Sequence, residues 1–310
     1  MATSLTSPAL VFASDKAILS TRKALAKVTQ FATDFSADAV KPGTTLKIPV
    51  YDGGTAESFD ASSANYEHVT GTLKYASVTF ANHVKATFQF DDKDFLIGLD
   101  SSVWGKAGDA AGRALSKSIV SAVSGLLTYD KAKAQVTGWT AGKAGLAGLR
   151  ASCAANGLDP ADCVVMLKSV QFAAILAALD SNVYGGSEAI RRGVIEGLYG
   201  FKAVIENDDI PAVSGAEVSG TAPTKGVGVV VPSDAVVVAG RLVPVASPSA
   251  YQETGTVTDE VSGLSFGVRR HGSAATGANF LTVEALFGAA LTYASDAADK
   301  APRFLQVCVA

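Results

Sequence analysis

The sequence predicts an α+β protein built around one long helix, and three stretches carry that prediction. From about Thr72 to Phe90, apolar and polar residues alternate with the two-residue period of a strand. From Asp100 to Lys133 the apolar residues recur every three or four positions, as on one face of a helix. From Thr140 to Val204, helical and strand-like segments alternate, the order expected of a compact α/β module.

Residues 1–13 lack a period and are expected to form an extended arm. Ser14 opens a helical pattern with Ile18, Leu25, Val28 and Ala32 on one side and Lys16, Arg22, Lys23 and Lys27 on the other. That basic side reads either as a solvated face or as a surface for an acidic partner or nucleic acid. Leu46–Tyr51 is a short strand, and its Pro49 places it at an edge. Asp52-Gly53-Gly54 breaks it, and Ser58–Gly71 is polar and loop-like.

In the alternating stretch, Val78, Phe80, Val84, Ala86, Phe88 and Phe90 form the apolar side, with Asn82 a polar intruder. A single strand of that length reaches about 60 Å. A hairpin so long cannot bury both faces within its own chain, so it is expected to project and pack on a neighbour. Its tip, residues 57–70, is the candidate contact, with Phe59, Tyr66 and His68 as the candidate interface residues.

The long helix has Asp100 and Ser101 as caps, and Leu115, Ile119, Ala122 and Leu126 as its stripe, widened by Val120, Val123 and Leu127. Lys131 and Lys133 suit the negative end of its dipole. Gly105, Gly108, Gly112 and Gly125 each cost up to about 1 kcal/mol against Ala in a helix interior. Their number points to close packing by a neighbouring backbone.

Beyond this spine, Thr140–Ala155 is a second helix ending at Asn156-Gly157, and Cys163–Leu167 is a buried strand. Ser169 starts a helix through Phe172, Ile175, Leu176 and Leu179, and Glu188–Leu198 is a further short helix. Tyr199–Val204 is a strand, residues 210–223 a loop, and Val227–Val231 a strand. Ser233-Asp234 caps a short helix to Ala239. Thr254–Arg270 and Asn279–Val283 alternate as strands, and Phe304–Val309 closes the chain as one more.

The totals exclude several classes. A net charge of −3 gives no positive field to steer the chain to nucleic acid. Cys153, Cys163 and Cys308 are odd in number and scattered, which suits reduced cytosolic thiols better than a disulfide framework. No basic head precedes an apolar run at the N-terminus, and no window holds 18 uncharged apolar residues, so neither a signal peptide nor a membrane span is expected. The 18% of charged residues is low, as for a surface largely covered by sister subunits.

No catalytic, metal or cofactor site is legible. His68, His83 and His271 stand apart, and His83 reads as a surface histidine. Cys153 and Cys163 read as buried structural thiols. Gly138-Trp-Thr-Ala-Gly-Lys143-Ala144 mimics a phosphate loop, but it has one residue too few, Ala where a hydroxyl belongs, and no expected strand before it. Gly226-Val-Gly228 lacks the third glycine of a dinucleotide turn. Ser20-Thr-Arg-Lys23 matches a Ser-x-x-Lys pattern without its companion motifs. Glu206-Asn-Asp208-Asp209 reads as a solvated turn without the spacing of a Ca²⁺ loop.

The order of parts, together with Gly43–Val50, Phe88–Phe95, Gly200–Val204, Ile210-Pro211, Gly263–Arg270 and Val283–Gly288, resembles the major capsid proteins of tailed double-stranded-DNA bacteriophages, the Hong Kong 97 fold. The resemblance spans nearly the whole chain, and its weight lies in the order of individually weak motifs. It implies an N-terminal arm (1–46), an extended β-hairpin loop (47–91), a peripheral domain with the spine helix (92–139 and 240–285) and an α/β axial domain (140–239 and 286–310). It implies a structural, non-enzymatic protein whose pentamers and hexamers tile an icosahedral head around double-stranded DNA. No cofactor is implied. A portal is implied as a partner, and the sequence leaves open whether a decoration protein binds. The lack of a charged helical extension before the arm implies a separate scaffolding protein. Lys74 and Lys85 lie in the loop region, but no motif picks out an Asn for an isopeptide cross-link. The alternatives are an encapsulin-like nanocompartment shell and, from another class, an α/β enzyme with a site between two modules.

Overall fold

The computed structural model describes residues 8–34, 45–52, 72–91, 101–128, 131–179, 194–211, 225–243, 251–259, 263–273, 277–292 and 304–309. Helix α1 (Pro8–Leu25) starts earlier than the sequence pattern suggests, so part of the expected extended arm is helical. Pro8 sits at its first position, where a missing amide hydrogen costs nothing. A four-residue turn, α2 (Val28–Phe31), leads into β1 (Ala32–Asp34).

The expected long strand is two strands. β3 (Thr72–Thr79) pairs antiparallel with β2 (Thr45–Asp52), whereas β4 (Asn82–Asp91) joins another sheet. At the break the Ala81 amide donates to the Thr79 carbonyl (2.9 Å), closing a tight three-residue turn. Asn82, the polar intruder, is the first residue of the second strand. The eight described residues of each ribbon strand span about 26 Å, less than half the single strand expected.

The spine, α3 (Ser101–Ser124), ends seven residues before Lys131, so the two lysines lie beyond its last turn. Leu115, Ile119, Val120, Val123 and Leu127 are buried, as the periodicity requires. A Cβ on Gly108 would lie 2.1 Å from the Ala13 carbonyl oxygen, and one on Gly112 2.3 Å from that of Ala17. These glycines let the α1 backbone lie directly on the spine, and Thr21 Oγ1 donates to the Gly112 carbonyl across the contact (3.3 Å).

β5 (Ala134–Val136), α4 (Lys143–Ala155), β6 (Cys163–Leu167) and α5 (Ser169–Ala178) follow. β7 (Val194–Glu196) occupies part of the stretch expected as a helix, and a turn through Gly197 and Tyr199, both at positive φ, returns the chain into β8 (Ala203–Glu206). Then come β9 (Lys225–Pro232) and β10 (Val236–Arg241). β10 replaces the expected short helix, because Val236-Val237-Val238 favours a pleated, buried strand over a helix. β11 (Glu253–Thr258), β12 (Ser265–Ser273), a 14-residue β13 (Ala278–Leu291) and β14 (Leu305–Val309) complete the order.

Two six-stranded sheets result. In the first, β13 is paired by β12 and then β10 along one side and by β4 along the other, with β11 and β1 outermost. The second runs β5-β14-β9-β6-β8-β7. β6 shows how the layers are arranged. Val164 and Met166 face a core shared with the spine and the first sheet, while Cys163, Val165 and Leu167 face a second core roofed by α4 and α5.

Candidate functional site

Among the described residues the β2–β3 ribbon pairs with itself alone. Its described buried side chains gather at its base, where Ile48, Ala76 and Val78 pack on Val237 and Ala239 of β10. Gly288 in β13 is needed there, since a Cβ would lie 2.4 Å from the Thr79 carbonyl oxygen. On the opposite face Lys47, Pro49 and Tyr75 are exposed, Tyr75 by 59%. Pro49 is opposite Tyr75 and has no amide to donate, which fits a ribbon edge. The predicted tip residues Phe59, Tyr66 and His68 lie outside the described residues, as does the whole of 57–70.

Polar residues cluster on the first sheet, on the face turned away from the shared core. Glu284 (4% exposed) forms an ion pair with Arg269, and its other oxygen meets His83 Nε2 at 3.0 Å. Arg269 also donates to the Tyr251 hydroxyl (3.0 Å) and lies 5.0 Å from the centre of that ring. His271 stacks on Phe280 at 5.0 Å. Thr87 and Thr282 share a hydrogen bond of 3.0 Å. These contacts cross β4, β13 and β12, so they lock the strand that leaves the hairpin into the sheet. His83 is exposed, as its alternation suggests, and its ring also reaches the buried Glu284.

A groove of about 470 Å³ separates the spine from the turn after β8, with Lys117 and Arg113 on one wall and Glu206 and Asp209 on the other. Lys27 Nζ closes one end by donating to the Glu206 carbonyl (2.9 Å). Asn207 is buried and donates to Ser124 Oγ at the end of the spine (2.9 Å). Asp208 accepts from both the hydroxyl and the amide of Ser169, the amide at 2.8 Å. These hydrogen bonds hold its carboxyl below the usual carboxylate range, and they cap α5 from 39 residues away. The acidic turn is thus a joint between helix ends as well as a wet loop.

The basic side of α1 is partly used inside the molecule. Arg22 pairs with Asp259, which is fully buried, at 2.7 Å, and Lys27 closes the groove. Lys133 caps α4, not the spine, by donating to the Asn156 carbonyl (2.6 Å). A strand, β5, does precede the Gly138–Ala144 stretch, contrary to expectation. The loop still has one residue too few and no hydroxyl after Lys143. Cys153, Cys163 and Cys308 are free and buried. The Cys163 thiol is pushed up, first by its hydrogen bond with Cys153 and then by burial, while burial alone raises Cys308. Among the described residues no cluster of His, Cys, Asp and Glu could hold a metal ion, and no helix is long and apolar enough to cross a membrane.

No family model matches the chain, and no curated protein matches it. Solved structures do. The capsid of cyanophage P-SCSP1u is similar at 11% identity and a TM-score of 0.52, over 90% of this chain and 86% of that one. The capsid of a native GTA particle is similar at 13% identity and a TM-score of 0.51, over 93% and 90%. The capsid of an empty GTA particle gives the same identity and TM-score over 91% and 95%. The likeness runs nearly end to end on both sides, and the fold is the Hong Kong 97-type capsid fold that the order of motifs suggested.

Proposed function

We propose that this chain is a shell-forming protein whose pentamers and hexamers close into an icosahedral phage head around double-stranded DNA. One observation carries the reading: 90% or more of the chain, and not a single module of it, is similar in fold to solved phage and GTA capsids. The β2–β3 ribbon supports it, because a ribbon that, among the described residues, pairs with itself and packs on β10 offers edges and a face to another subunit. In this reading residues 1–46 are the arm and 47–91 the extended loop, residues 92–139 and 240–285 form the peripheral domain with the spine, residues 140–239 and 286–310 form the axial domain, and Phe59, Tyr66 and His68 meet a neighbouring subunit. The subunit works in the virion, beside a scaffolding protein and a portal. The near-neutral charge suits a wall that encloses DNA without gripping it.

The test is light scattering on a sizing column with negative-stain images of the leading peak, for the chain alone and with a scaffolding protein co-expressed. Closed shells, tubes or sheets of hexamers are expected. A stable monomer or dimer under both conditions would overturn the proposal.

A further inference from the structure

We propose that Cys153 and Cys163 form an oxidisable pair, joined by a disulfide when a low-molecular-weight disulfide serves as oxidant, and that the bond ties α4 to β6. The pairing follows from the layering. Leu146, Leu149 and Cys153 are the buried side chains of α4, spaced by three and four residues. Cys163, Val165 and Leu167 are the side chains that β6 turns toward the same core. The two thiols therefore meet between roof helix and sheet, 0% and 1% exposed, and share a hydrogen bond. Both ends of the connection are fixed. The Leu158 amide donates to the Cys153 carbonyl (2.9 Å), and the Lys202 amide to that of Cys163 (3.0 Å). Between them Asp159 accepts from the Ala161 amide (2.9 Å) and caps the helical turn Pro160–Asp162 that leads into β6. Cys308 is the contrast, because it is buried in β14 and burial alone raises its thiol.

The chemistry is thiol–disulfide exchange, and the two cysteines have different parts in it. The Cys163 S–H donates to Cys153, which lowers the Cys153 thiol, while the same bond and burial push Cys163 up. Cys153 is thus the thiolate that attacks. It displaces one thiol from the low-molecular-weight disulfide and forms a mixed disulfide. Cys163 then gives up its proton, attacks the Cys153 sulfur and expels the second thiol. Two protein thiols become one disulfide, and the oxidant is reduced to two thiols. Access comes through the last turn of α4, which holds Cys153 and where Ala154, Ala155 and Gly157 are exposed. The bond stays open where small thiols prevail and closes where their disulfides do.

The test exposes the purified full chain to oxidised glutathione and measures the mass of the tryptic peptide 151–168, which holds Cys153 and Cys163 but not Cys308. A loss of two hydrogens from that peptide is expected, with a rise of roughly 5 °C in melting temperature that dithiothreitol reverses. Single variants read the order of attack, with a Ser hydroxyl standing in for one thiol as hydrogen-bond donor. Cys163→Ser should retain glutathione on Cys153, at least about tenfold more than Cys153→Ser retains on Cys163. A peptide that keeps both hydrogens, or that carries glutathione on each cysteine without joining them, would overturn the proposal. A bond formed without the rise in melting temperature would overturn the tie between helix and sheet. Equal trapping in the two variants would overturn the assigned order of attack. None of these outcomes touches the shell reading.

Discussion

Glu284 and Arg269 are nearly inaccessible to water, 4% and 9% exposed, and their mutual ion pair offsets much of the burial of each charge. Glu284→Ala should therefore destabilise the subunit by about 3 kcal/mol in denaturant melts. A double change of Glu284 and Arg269 to Met should cost much less. Asp208 makes a different contribution. Its carboxyl titrates below the ordinary 3.8, so its stabilisation is fully present above that value and is lost as pH falls through the lowered one. Asp208→Asn should flatten the acid end of the stability curve, and Asp208→Ala should cost about 1 kcal/mol at neutral pH. Neither partnership was legible beforehand. Asp208 lies 39 residues from Ser169, and Glu284 and Arg269 lie on different strands, β13 and β12, whereas sequence patterns report spacings within one element.

Among the elements, the spine was the most legible. Its apolar stripe and glycines are local signals: the stripe marks contacts with the shared core and Gly108 and Gly112 mark contacts with α1, whereas Gly125 meets its own turn at Ser121 and Ala122. Gly112→Val should test the second contact. The added atoms meet backbone at Ala17, which cannot rotate away, so a loss of about 3 kcal/mol and disorder of α1 in hydrogen exchange are expected. The long strand and β10 were read less well. Alternation continues in phase through the turn at Thr79–Ala81, since Val78 and Val84 both face inward, so the period cannot show where one strand ends and another begins. At β10 a good capping pair, Ser233-Asp234, competed with a run of three valines, and burial on both faces decided for the strand.

For the whole molecule, order was more informative than any motif. Arm, ribbon, spine, module and returning strands suggested a capsid fold that sequence comparison with family models and curated proteins does not detect. The candidate tip contact was inferred from length, and the ribbon described is shorter, so deletion of residues 57–70 becomes the direct test. Subunits lacking them should melt like the parent yet fail to close shells in negative-stain images. Finally, Val164, Met166, Ile205 and Val229 of the second sheet, and Val268, Val283 and Phe287 of the first, belong to one apolar core with Leu115 and Ile119 of the spine. Neither sheet can melt without exposing the other's interior. Calorimetry of the free subunit should accordingly show a single endotherm whose van't Hoff and calorimetric enthalpies agree.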